Sequence, residues 1–136
     1  MTVIKLRLHD SVVTTRIRNI AFDAADPVAL ARWWSRVLGR PLPDGHQPDA
    51  DEAALDLPDG QTVYFQRVPE PKAVKNRMHI CLQADSPRDV ETERITSLGA
   101  TLVADHRNAD GSGWVVLADP EGNEFCVLRS VAERGF

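Results

Sequence analysis

The chain repeats itself sixty residues apart. Asn19–Leu42 (NIAFDAADPVALARWWSRVLGRPL) lies over His79–Leu102 (HICLQADSPRDVETERITSLGATL) without a gap across 24 positions. Six pairs are identical: Ile20/Ile80, Ala24/Ala84, Pro27/Pro87, Leu38/Leu98, Gly39/Gly99 and Leu42/Leu102. Chance gives about one or two at ordinary composition. The shared Pro and Gly punctuate structure at equivalent points. Two copies of one supersecondary unit that bury a face together are therefore expected, with a ligand site between them on equivalent strands.

Local signals fill in each copy. Ile17, Ile20, Phe22 and Ala24 flank a strand. Asp26 is a helix N-cap and Pro27 fits the first helical position, where no amide hydrogen is needed. Leu30, Trp33, Trp34, Val37 and Leu38 recur at helical spacing, and Gly39 closes the helix. Turn signals at Pro43–Gly45, Pro48–Asp49 and Pro58–Gly60 precede the strand Thr62–Val68. Pro69–Lys72 breaks the pattern. The second unit repeats the order: strand Met78–Ala84, a helix opened by Ser86 and Pro87 with Asp89 completing a capping box, then strands Thr101–Ala104, Trp114–Ala118 and Glu124–Arg129. Asp105–Gly113 is a polar loop and Asp119–Asn123 a tight turn. With two residues inserted, Gly60 meets Gly122, Tyr64 meets Cys126 and Arg67 meets Arg129. Strand, helix and three strands per unit give an α+β domain with helices on one face. Residues 1–15 alternate weakly and fit a strand, an arm or a frayed end.

The bulk properties exclude several classes. At 136 residues one domain with a real core is expected. A net charge of −4, with bases scattered among acids, leaves no basic footprint for nucleic acid. No apolar run spans a membrane. The opening MTVIKLRLHDSVV lacks an apolar core and a cleavage site, so a cytoplasmic location is expected. In that reducing compartment Cys81 and Cys126 are free thiols.

Ala25–Asp26–Pro27 before a helix ending Val37–Leu38–Gly39, then Ser97–Leu98–Gly99–Ala100 and Asp119–Pro120–Glu121–Gly122–Asn123, resemble the vicinal oxygen chelate superfamily. That superfamily includes glyoxalase I, extradiol dioxygenases and the bleomycin- and fosfomycin-resistance proteins. Phe65–Lys72 running into Lys75–His79 is similar to its glyoxalase-like subgroup common in actinobacteria. The resemblance covers about residues 16–130. It implies two tandem βαβββ modules (about 16–69 and 77–130, linker 70–76) within one domain over residues 1–136. They form a curled eight-stranded mixed sheet around a cleft, with helices on the convex face. It also implies a homodimer. Family metal ligands come from the first and last strand of each module, usually His or Gln and Glu. Carried over, those positions are Asn19, Tyr64, His79 and Cys126, of which only His79 is a usual ligand. The resemblance therefore does not carry a metal site of the family type, and no cofactor is named by the sequence.

Strand alternation sorts the faces. Ile20, Phe22, Ala24, Ile80, Leu82, Phe125 and Val127 should face the helices. Asn19, Ala21, Asp23, Thr62, Tyr64, Gln66, His79, Cys81, Gln83, Glu124, Cys126 and Leu128 should line a polar cleft that takes a small-molecule ligand. His79 is either an acid–base group or a structural histidine bonded to Tyr64 or Glu124. Glu124 is a general base raised toward neutrality, or a rim residue beside the turn. Tyr64 orients a ligand or packs. Gln66 shares its face. Cys126 is one half of a thiol–imidazole pair or an inert buried thiol. Trp114 stacks on a planar ligand or joins the core. Arg77 holds an anionic group at the cleft mouth or is solvated. Three functions stay open. One is a metal-independent small-molecule binder, such as a sequestering resistance or carrier protein. Another is a lyase or isomerase using His79 with Glu124 or Tyr64. The third is a metalloenzyme with a non-family ligand set drawn from His79, Cys81, Cys126 and Glu124.

Overall fold

The computed structural model describes residues 15–43 and 47–134. Of residues 1–15, which fit a strand, an arm or a frayed end, 1–14 lie outside the described residues, as do Asp44 and Gly45 of the expected turn Pro43–Gly45. The first module contains β1 (Asn19–Ala24), α1 (Pro27–Leu38), β2 (Glu52–Asp56) and β3 (Thr62–Arg67). The second contains β4 (Ile80–Leu82), α2 (Arg88–Ser97), β5 (Thr101–Asp105), β6 (Val115–Ala118) and β7 (Glu124–Val127), followed by the single turn α3 (Val131–Arg134). The fold is α+β. The strands form two mixed sheets, ordered β1-β3-β2 and β4-β7-β6-β5. This differs from the expected single sheet of eight strands. Among the described residues the first module has two strands after its helix rather than three, and β1 and β4 are separate sheet edges. No helix among the described residues is long and apolar enough to cross a membrane.

The repeat is visible in the register. β1 runs parallel to β3 with Ile20, Ala21 and Phe22 opposite Val63, Tyr64 and Phe65. β4 runs parallel to β7 with Ile80, Cys81 and Leu82 opposite Phe125, Cys126 and Val127. The pair Cys81–Cys126 is thus the counterpart of Ala21–Tyr64, as the two-residue insertion required. Gly60 and Gly122 share a φ of 87° in the turns before the two last strands.

Helix α1 begins as its sequence dictates. Asp26 accepts from the Ala29 amide at 3.1 Å, and Gly39 ends the helix at φ 63°, a conformation that costs a glycine little. α2 departs from expectation. Pro87, not Ser86, is its cap, and no side chain of its own caps it. Instead the Arg88 amide donates to Glu133 Oε1 at 2.6 Å. Glu133 also accepts from the Ser130 amide at 2.9 Å, while the Glu133 amide donates to Ser130 Oγ at 3.1 Å. The capping box therefore belongs to Ser130–Glu133, and its carboxylate serves two helix starts.

The core sits around α1 and joins the modules. Trp34 is 1% exposed and meets Phe22 at 5.5 Å and Phe125 at 4.9 Å between ring centroids. Trp33 donates from Nε1 to the Leu98 carbonyl at 2.9 Å. Both tryptophans are core residues, and each ties the first module to the second. The turn Asp119–Asn123 acts as a clasp. Asp119 Oδ1 accepts from the amides of Glu121 and Asn123, and Oδ2 accepts from Trp34 Nε1 at 3.0 Å. Glu121 reaches the amides of Ala25 and Asp26 at 2.6 and 3.0 Å, placing negative charge at the start of α1. Arg94 of α2 donates to the Val37 carbonyl at 2.7 Å, at the opposite end of α1.

Candidate functional site

The open faces of the two sheets have different chemistry. On the first sheet, polar side chains satisfy one another. Tyr64 donates its hydroxyl to Glu52, and that hydrogen bond raises the phenol pKa. Gln66 donates to Asp23 at 2.8 Å. On the second sheet, parity brings His79, Cys81, Glu124 and Cys126 to one face.

That face floors a cavity of about 320 Å³, walled by His79, Cys81, Cys126, Glu124, His106 and Trp114. A larger cavity of about 820 Å³ opens between the edges of β1 and β4. Asn19, Phe22, Asp23 and Met78 line it, and His79 and Glu124 line both cavities. Ile20 departs from the face assigned to it. As part of an edge strand it turns to this gap, 43% exposed. Trp114, equally exposed, lies 4.8 Å from His106 between ring centroids. The His106 amide donates to the Trp114 carbonyl at 2.9 Å, which extends the β5–β6 hairpin beyond its strands.

Glu124 runs opposite to expectation. Lys75 Nζ reaches its Oε2 at 2.8 Å and Lys72 Nζ its Oε1 at 3.1 Å, on a side chain only 12% exposed. The Lys75 hydrogen bond, helped by Lys72, lowers its pKa, where a general base would need it raised. The partners foreseen for a structural His79 are thus engaged elsewhere, Tyr64 by Glu52 and Glu124 by the two lysines. His79 is exposed. Its imidazole joins the thiols of Cys81 and Cys126, all three donor atoms lying within 4.8 Å of one another. Both cysteines are free. Burial pushes the Cys126 thiol up to about 11, and its neighbour Cys81 adds to the shift.

Residues 19–128 match the family described as a glyoxalase-like domain. The chain belongs to that family. Solved structures agree on the fold. A possible glyoxalase from Bacillus cereus is 18% identical with a TM-score of 0.63, covering 85% of this chain and 99% of its own. A glyoxalase/bleomycin resistance protein/dioxygenase family enzyme from Burkholderia phytofirmans is 20% identical, TM-score 0.60, covering 81% and 94%. A mutant of the fosfomycin resistance protein FosX from Listeria monocytogenes, in complex with Mn(II) and a dihydroxypropylphosphonic acid, is 15% identical, TM-score 0.65, covering 90% and 96%. Among curated proteins none matches the chain.

The metal positions of the superfamily do not fit a hard cation in this glyoxalase-like protein. Tyr64 is held protonated by Glu52, and Asn19 offers only a neutral amide on the other sheet. Cys126 is a soft donor, suited to thiophilic ions rather than to manganese or magnesium.

Of the side chains picked from the sequence, His79, Glu124, Cys126 and Trp114 meet at the smaller cavity, and Asn19 lines the larger one. Tyr64, Gln66 and Arg77 lie on neither wall. The first two are turned to partners on their own sheet, and Arg77 is exposed. His106 and Lys75 were missed. Reading Asp105–Gly113 as loop hid the hairpin pairing that sets His106 beside Trp114.

Proposed function

We propose that this glyoxalase-like protein binds a small organic molecule where its two cavities meet, as a sequestering resistance or carrier protein does. The observation that carries this reading is the shared wall: His79 and Glu124 face both spaces. Trp114 and His106 offer a flat surface on one side, while Phe22 offers an apolar one on the other. A planar ligand with one polar group at His79 suits this arrangement. Acid–base catalysis by His79 with Glu124 is the weaker reading, because two ammonium groups hold Glu124 anionic and occupied. The test is a thermal-shift screen of metabolites and aromatic antibiotics. A ligand at about a hundred times its Kd should stabilise the fold by about 2.7 kcal/mol. With that ligand, His79→Ala should weaken binding at least about 10-fold, the loss of one good polar contact. Binding retained with turnover lost would move the assignment to an enzyme.

We also propose a homodimer. Ile17, Ile20 and Met78 (89% exposed) form an apolar strip along the β1 and β4 edges, which a two-fold partner would cover. Light scattering should give twice the chain mass, and Ile20→Asp with Met78→Asp should return it to one. A wild-type monomer at micromolar concentration rules the dimer out.

A further inference from the structure

We propose that His79, Cys81 and Cys126 form a binding site for a thiophilic ion of the zinc class, built wholly within the second module. Both of the chain's two cysteines are in it, although 45 residues separate them in sequence. The β4–β7 register sets them directly across from each other, and His79 lies two residues before Cys81, on the same face. Cys81 has no counterpart among the four positions of the superfamily, where the first module would have to contribute Asn19 and Tyr64.

Two thiolates and one imidazole are a donor set that zinc accepts. Thiolate sulfurs sit about 2.3 Å and an imidazole nitrogen about 2.0 Å from the ion, so donors around one tetrahedral ion lie under about 4 Å apart. The present spacing of up to 4.8 Å closes by turning His79 and Cys81, both exposed, toward the fixed Cys126. Glu124 stays with Lys72 and Lys75, leaving the fourth position open toward Trp114 and His106. Three protein donors with one open position is the pattern of a zinc site that meets a ligand, as opposed to a closed structural one. This site stands whether or not the cavities take an organic molecule.

The test uses the full chain, reduced and stripped with chelator, then titrated with Zn²⁺ by calorimetry and with Co²⁺ by absorption. One ion per chain and a thiolate-to-cobalt charge-transfer band are expected. Cys81→Ser, at an exposed position, should weaken Zn²⁺ by more than about 100-fold, beyond the usual loss for an outer-sphere partner. His79→Ala should do likewise, with circular dichroism unchanged in both. Asn19→Ala and Tyr64→Phe should bind as the wild type does. The site is overturned by any of four results: no thiolate band; wild-type affinity in Cys81→Ser; equal loss in Asn19→Ala or Tyr64→Phe; or Mn²⁺ binding as tightly as Zn²⁺. A reduced chain that takes no ion and closes a Cys81–Cys126 disulfide on oxidation overturns it too.

Discussion

Trp34→Ala should lower the unfolding free energy by about 3–5 kcal/mol, the range for removing a large aromatic from a core. The ring is almost wholly buried and contacts Phe22 on β1, Trp33 on its own helix and Phe125 on β7. Its loss therefore opens a cavity between the modules. It also removes the indole that donates to Asp119. Burial already raises the Asp119 pKa, against hydrogen bonds from Asn123 and Trp34 that lower it. The carboxylate oxygen left behind loses its donor, so the cost of the lost hydrogen bond adds to that of the cavity. Urea melts followed by circular dichroism measure it. A deficit under about 1 kcal/mol, typical of an average substitution, would show that Trp34 does not join the modules.

The repeat carried most of what was legible, because Pro27, Gly39, Gly60 and Gly122 act locally and need no tertiary context. It set the equivalence of Ala21–Tyr64 with Cys81–Cys126, and the register agrees. Alternation placed His79, Cys81 and Cys126 on one face for the same reason: side-chain direction in a strand has period two. What long-range contacts decide was not legible. The pKa of Glu124 depends on Lys72 and Lys75, 52 and 49 residues away in the linker. Tyr64 is turned from a ligand to Glu52, on a neighbouring strand whose pairing sequence alone did not set. The cap of α2 comes from Glu133, 45 residues beyond it. Polar residues near a turn or in a linker read as solvated until the fold shows what they reach. That is why the most polar segment, Asp105–Gly113, was passed over.

Arg88→Ala should cost about 1–3 kcal/mol and loosen that segment, because it leaves the loop's carbonyls without their buried charged donor. Arg88 is 4% exposed. Its Nη1 donates to the carbonyls of Gly111, Ser112 and Gly113 at 3.0–3.1 Å, and its Nε to Asp89 at 2.9 Å. Asp89 in turn pairs with Arg107, which also grips Asp105 at the loop's entry. The three carbonyls converge on one nitrogen, but a lysine has no second donor nitrogen to replace the Nε that reaches Asp89, so Arg88→Lys should recover only part of the loss. Gly113→Ala separates loop geometry from charge. At φ 95° a side chain there is strained, and a Cβ would fall 2.0 Å from the His106 carbonyl oxygen. The alanine must therefore push His106 away from Trp114 while Arg88 keeps its charge. Trp33 and Trp34 are buried and Trp114 is not, so acrylamide quenching reads Trp114 almost alone. Both variants should change that quenching and weaken any ligand that stacks there. If Arg88→Ala loses stability while Trp114 quenching and ligand affinity hold, the loop is not what shapes the smaller cavity, and Arg88 serves only the packing of α2.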